Sequence, residues 1–253
     1  ADETKQAEIK RRMNWISTPY ENLGKISSLD SLAREYREKG FTHAVLMGMG
    51  GSSLAPAVIS RILGNQTGEG NSGLQMRILD STDPDQVREV EESSPIKNTL
   101  FIISSKSGTT GEVNAVLDYF WQQVSRVNPK DPGGQFNAIT DPGTPLEKLA
   151  IERKFSHVFR ADPEVGGRNS ALTLFGMVPA AIMGINLNKF MKVAVNMANS
   201  CKADRPLTSN PGMVLGVILG TAAVSGRNKV TLLTNEKWTP FGSWLEQLVA
   251  ESS

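Results

Sequence analysis

The chain has 253 residues, 39% of them hydrophobic and 21% charged, an ordinary globular balance with enough apolar content for one large core. Its 27 Lys and Arg against 26 Asp and Glu leave a net charge of +1, which excludes the basic excess of a nucleic-acid or anionic-membrane binder, so any anion must be held by locally aimed groups. The solitary Cys201 excludes an internal disulfide and a Cys-rich metal site, and it suits a reducing, cytoplasmic compartment.

In chain order, the opening "ADETKQAEIKRRMNWIS" is charged and mixed in sign, without the apolar core of a secretory signal. "THAVLMG" (42–48) predicts the first strand and runs into a glycine turn. "LQMRILD" (74–80), "TLFIIS" (99–104), "QFNAIT" (135–140) and "HVFRA" (157–161) predict four more. Near-continuous apolar runs suit strands covered on both faces, as in parallel sheets. Between them, Asp83 and Pro84 cap and open a helix over "DQVREVEES", and a helical pattern runs from Glu112 to about Gln123. Thr144 and Glu147 form a capping box in "TPLEKLAIERKF", with Pro145 at the first helical position. Polar loops at 64–73 and 128–134 are expected to be mobile. Five strands linked by helices imply right-handed crossovers and an α/β fold, a three-layer αβα sandwich on a five-stranded parallel sheet.

Beyond Gly166 the spacing predicts helices around 170–184, 187–203 and 211–225. The longest apolar stretch, 171–187, falls short of the roughly 20 residues of a membrane span and is interrupted by Pro179 and two glycines, so a buried core helix in a soluble chain is expected. "NKVTLLT" (228–234) then predicts a fresh buried strand, and "TPFGSWLEQLVAE" a helix capped by Thr239 and Pro240, as if a second αβα unit began here.

Ligands of open α/β sheets bind beyond the carboxyl ends of the strands. Two loops at that edge stand out. "GMGGSSLAP" (48–56) offers three glycines for close backbone approach and two serine hydroxyls at a helix start. "SSKSGTT" (104–110) repeats the construction after the third strand. Neither has the spacing of a P-loop. Gly48 and Gly50 begin a dinucleotide fingerprint, with Asp80 as a ribose ligand, but Ser53 replaces the third glycine and the second loop would have no role. A phosphate monoester, most naturally a sugar phosphate, fits both loops.

These two loops resemble the paired phosphate loops of SIS (sugar isomerase) domains. "VGGRNSALTLFGMVPAAIMG" (165–184) is similar to a signature of glucose-6-phosphate isomerases, and "FGSWLEQLVAES" (241–252) to the segment that carries that family's catalytic glutamate. The wording of the segments is similar to the isomerase part of bacterial transaldolase/glucose-6-phosphate isomerase fusions. The resemblance implies that Gly51 through its backbone, Ser52, Ser105, Lys106, Ser107 and Thr110 hold the substrate phosphate. It implies that Gly167 and Arg168 lie near the reacting carbons, and that Glu251 is the base. It further implies no metal or organic cofactor, a small sugar phosphate as ligand, and a homodimer in the full-length protein. The corresponding layout is an N-terminal helical segment (1–40), a SIS domain (41–185), connecting helices (186–227), and the first strand and helix of a second SIS domain (228–253).

The chemistry is coherent without the resemblance. Aldose–ketose isomerisation moves a proton between neighbouring carbons through an enediolate, so it needs one base and a fixed positive charge beside the oxyanion. Glu251 and Arg168 are the right types. The pattern departs from the family at Asn169, where an aromatic is usual, and neither His43 nor His157 stands in the motif of the family's ring-opening histidine. A sugar-phosphate sensor without catalysis, which would keep Glu251 far from the loops, and a nicotinamide enzyme with Asp80 on a ribose are the rival readings.

Overall fold

The computed structural model describes residues 13–64 and 73–252 together with Gln6 and Ile9. Five strands, β1 (His43–Gly48), β2 (Gln75–Leu79), β3 (Thr99–Ser104), β4 (Phe136–Thr140) and β5 (His157–Arg160), form one sheet in the order β2-β1-β3-β4-β5. Every pairing is parallel, so the expected sheet is present and its strands lie within a residue of the predicted bounds.

Alternation along the strands explains the layers. Ala44, Leu46, Leu100 and Ile102 face one core, together with α1 (Leu32–Glu38), α2 (Leu54–Ile59), α6 (Leu174–Ile182) and α7 (Leu187–Ser200). Val45, Met47, Phe101 and Ile103 face the other, against α3 (Pro84–Ser93), α4 (Gly111–Val127) and α5 (Pro145–Glu152). Strands buried on both faces need apolar residues at every position, which is the run seen in "TLFII".

The predicted caps form. Asp83 accepts from the N–H groups of Asp85 and Gln86, and Thr144 accepts from that of Glu147. The Glu147 side chain reaches the Gly143 N–H, one residue earlier than a capping box requires, and also takes Arg160. The Gly143 N–H, then Arg160, hold that carboxyl below its ordinary value.

Several expectations are corrected. The loop at 128–134 is tied down: Asn128 donates to the Asp131 carbonyl, the Gly134 N–H to the Asp131 carboxylate, and Gly133 lies directly against the Arg153 and Lys154 backbone. The loop at 64–73 lies mostly outside the described residues. The stretch at 170–184 divides into a 3-10 helix, Gly167–Leu172, and α6, because Thr173 turns extended and caps α6 at the Phe175 N–H. Thr239 is already helical in the last helix, α9 (Thr239–Ala250), and its hydroxyl bonds back to the Glu236 carbonyl instead of capping.

Residues 228–234 form no strand, since none of the described residues offers them a ladder partner. Leu233 there is 90% exposed. The helix α8 (Pro211–Val224) is apolar on every face yet leaves Leu215, Val217 and Ile218 exposed. Among the described residues no helix is long and apolar enough to cross a membrane.

Candidate functional site

The strand order sets the location. β2 lies on one side of β1 and β3 on the other, so the chain reverses its winding direction between β1 and β3 and leaves a crevice at their carboxyl ends. Gly48 and Ser104 are register partners at that edge, so the two hydroxyl-rich loops start side by side.

The loop after β1 is shaped by its own chain. A Cβ on Gly51 would stand 2.3 Å from the Gly167 carbonyl carbon and 2.8 Å from the Arg168 nitrogen. The bare backbone therefore accepts the Gly167–Arg168 segment at a distance open to no other residue. Ser170 secures the contact by donating to the Gly51 carbonyl and, more closely, to that of Gly167. Ser52 and Ser53 are buried; the Ser53 hydroxyl donates to the Gly50 carbonyl, while the Ser52 carbonyl accepts from the buried Ser104 hydroxyl at 2.9 Å.

The loop after β3 is built differently. Ser105 and Thr110 bring their hydroxyls within 3.2 Å of each other across the turn, and the Gly108 N–H donates to Ser105. Gly108 sits at φ +67° with no room for a Cβ beside Leu146, so the turn demands glycine there. Ser107 and Thr109 hydroxyls pair at 2.9 Å on the exposed side. Thr110 occupies the N-cap position of α4 without capping it, so the first-turn N–H groups of a 17-residue helix carry no side-chain cap. Hydroxyls, amides without a side-chain cap and a helix dipole converge on one spot.

Lys106 points elsewhere. Its ammonium lies 2.6 Å from Asp141 Oδ2, 3.2 Å from the Asp162 carbonyl and 3.4 Å from the Pro163 carbonyl. It joins the ends of β4 and β5 and is not turned into the turn between Ser105 and Thr110.

Arg168 and Glu251, a fixed positive charge and a carboxylate, meet although 83 positions separate them. Arg168 Nη1 donates to Glu251 Oε2 at 3.2 Å, and Arg168 Nε to the Ser252 hydroxyl at 2.8 Å. The carboxylate and guanidinium are 48% and 28% exposed, so both are open to a ligand. The sequence reading missed Gln247, whose Nε2 donates to Glu251 Oε1 at 3.1 Å and lies next to Gly50. Its Oε1 is buried and accepts no hydrogen bond from the described residues. The available signal was its place four residues before Glu251, the C-cap of α9, a spacing that stacks the two side chains. Asp80 stands exposed at the end of β2, and no described group of three or more His, Cys, Asp or Glu is placed to hold a metal ion.

The family model described as phosphoglucose isomerase matches residues 26–253. The chain is 28% identical to a glucose-6-phosphate isomerase of Carboxydothermus hydrogenoformans, covering 96% of this chain and 53% of that protein. It is 29% identical to one of Prochlorococcus marinus, covering 96% of this chain and 44% of the relative. The chain thus spans about half the length of the curated relatives it matches. Among solved structures, hypothetical protein TT0462 from Thermus thermophilus superposes with a TM-score of 0.80 at 24% identity, over 99% of this chain and 59% of that one. A glucose-6-phosphate isomerase from Chlamydia trachomatis superposes with a TM-score of 0.72 at 21% identity, over 93% and 48%. These two likenesses show a shared fold.

Proposed function

The chain belongs to the phosphoglucose isomerase family, and on that premise we propose that it is the part of an aldose–ketose isomerase that binds the sugar phosphate and carries the proton-transferring base. The complete protein would interconvert glucose 6-phosphate and fructose 6-phosphate. The observation that carries this reading is the convergence of four separate segments, 48–54, 104–110, 166–170 and 247–252, at one end of β1 and β3.

In the proposed site, Ser105, Ser107, Thr110 and the open N–H groups of α4 take the phosphate, with Ser52 and the Gly51 backbone completing the cradle. Hydrogen bonds to an ionised group contribute about 1.5–3 kcal/mol each, so aimed donors suffice in a chain of near-zero net charge. Gly167 brings Arg168 beside the reacting carbons. Glu251 takes the proton from one carbon and returns it to its neighbour, while Arg168 stabilises the enediolate oxygen. Gln247, bonded to the other carboxylate oxygen, fixes the direction in which the base points.

The sensor reading requires Glu251 far from the loops, whereas Glu251 is linked to the loop after β1 through Arg168, seated against Gly51, and Gln247, beside Gly50. The nicotinamide reading needs an open glycine turn, and the Gly51 face is filled by Gly167 and Arg168. The exposed apolar faces of α8 and of residues 228–234 support a second unit beginning at 228–253 that covers them in the complete protein. So does an apolar cavity of about 1010 Å³ beside Arg168, walled by Val58, Phe190, Met197, Trp244 and Leu248. A homodimer of that complete protein and a cytoplasmic, glycolytic setting complete the proposal, the exposed thiol of Cys201 suiting a reducing compartment.

The test is calorimetric titration with 5-phosphoarabinonate, an open-chain mimic of the enediolate, on the unaltered chain, on Arg168→Ala and on a Ser105→Ala/Thr110→Ala variant. Binding that weakens in both variants supports the isomerase site. Weakening in the loop variant alone would instead support a module that grips phosphate and nothing more.

A further inference from the structure

Lys106 is the one cation in the hydroxyl loop after β3, yet its ammonium has three protons and three protein acceptors: Asp141 Oδ2, the Asp162 carbonyl and the Pro163 carbonyl. The Lys106 main chain is held from the same side, since its carbonyl accepts from the Asp141 N–H at 3.2 Å and from the Thr140 hydroxyl at 3.4 Å. Ser105, one residue earlier, donates its N–H to the Ile139 carbonyl. The turn is thus laced to the end of β4 by main chain and side chain together.

The second anchor matters more. Asp162 and Pro163 open the segment that leads from β5 to Gly167 and Arg168. That segment is fixed on its other side, where Asp162 takes the Asn14 amide and the Glu164 N–H, and Val165 bridges to Met13. From there the chain passes to Gly167, seated on Gly51. One ammonium therefore joins the loop that offers hydroxyls to the segment that presents the guanidinium.

Could Lys106 swing round to a phosphate instead? It would surrender a 2.6 Å ion pair whose partners are only 26% and 16% exposed. Asp141 Oδ1 is buried and already accepts nothing from the described residues, so the carboxylate would lose the hydrogen bond it has. An unpaired, largely buried carboxylate near an arriving phosphate is unfavourable twice over, by desolvation and by like-charge repulsion.

Resting on the isomerase reading for the ligand, we infer that Lys106 is a positioning residue held by Asp141: it clamps the phosphate loop to the Arg168 segment and does not itself ligate the phosphate. Asp141, which no sequence motif singled out, is then as necessary to binding as Lys106.

The sign of one substitution separates the two roles. Lys106→Met, Asp141→Asn, the double variant and Lys106→Arg are titrated with 5-phosphoarabinonate, and hydrogen exchange of segments 105–110 and 163–168 is followed without ligand. The clamp predicts that each single variant binds about tenfold more weakly, that the double variant is no weaker than either, and that both segments exchange faster in both singles. Lys106→Arg, which keeps the charge and can reach Asp141, is expected to recover part of the affinity. A direct phosphate contact predicts the opposite for Asp141→Asn, where a released lysine leaves binding unchanged or tightens it, and that result overturns the proposal. Lower melting temperatures with unaltered affinity overturn it too, reducing the pair to an ordinary ion pair of the fold. If the unaltered chain does not bind the probe, the ligand assignment fails and the exchange measurement alone decides the clamp: unchanged exchange in both segments refutes it.

Discussion

The two ends of the sheet use polar side chains in opposite ways. At the amino end, Tyr36 is fully buried and donates to Asn137 Oδ1 at 2.7 Å, with His157 Nδ1 2.8 Å away. Ser156 and the stacked ring of Phe159 close that cluster around His157. At the carboxyl end, the hydroxyls of Ser105, Ser107, Thr109 and Thr110 bond mostly to one another, and the amides behind them carry no side-chain cap. A polar group whose partners all lie inside the fold holds structure. A group that retains hydrogen-bonding capacity towards an opening is available to a ligand. The same residue types are therefore bound into the fold at one end and bonded mainly to one another at the other, and their partners tell the two apart.

The largest effect should come from filling the contact that shapes the carboxyl end. Gly51→Ala forces a Cβ against backbone that cannot yield, and about 3 kcal/mol of stability should be lost, together with probe binding. Urea unfolding reads the first and titration the second; a variant as stable as the parent would mean that the close approach is not what seats Arg168. Next in size, Ser105→Ala/Thr110→Ala should weaken phosphate-probe binding by about tenfold to a hundredfold while moving unfolding by less than about 1 kcal/mol. The reverse, a stability loss with intact binding, would make this end as structural as the other.

The amino end should respond to pH through stability. Burial raises the Tyr36 phenol from 10.0 to about 12, so the fold favours the neutral form. Its contribution is complete below pH 10, where the unfolded chain also keeps its proton, and is lost as pH rises towards 12. Tyr36→Phe should remove that alkaline slope, and an unchanged slope would exonerate the phenol. The smallest effect lies on the acid side. Burial lowers His157, outweighing the opposite pull of Glu35. Because the fold favours neutral imidazole, this contribution is present above the unfolded value of 6.5 and declines as pH falls through the lower folded value. Unfolding at pH 7.5 and 5.5, compared with His157→Gln, measures it; identical pH dependence in the two chains would show that His157 does not carry it.

Much of the fold was legible because it is local. Strands buried on both faces announce themselves as unbroken apolar runs such as Leu100–Ile103, and Asp83 and Thr144 cap helices by accepting from N–H groups two or three residues away. The hydroxyl loops stand out as clusters of donors beside glycine turns for the same reason. What stayed hidden depends on partners far along the chain. Lys106 reads as an unpaired cation until Asp141, 35 positions on, takes its ammonium. Residues 228–234 have the composition of a strand, but a strand needs a ladder, and composition names no neighbour. Arg168 and Glu251 look like ordinary surface charges, and the resemblance, not their local sequence, singled them out. Gln247 becomes visible only once Glu251 is given a role.

The central claim is that one ligand spans the hydroxyl turn and the Arg168–Glu251 pair. It is tested most directly by a crystal structure of the chain with 5-phosphoarabinonate. The account predicts the phosphate against Ser105, Thr110 and the first turn of α4, the carboxylate end beside Arg168 and Glu251, and Lys106 still paired with Asp141. A phosphate bound elsewhere, or seated on a Lys106 that has left Asp141, would contradict it.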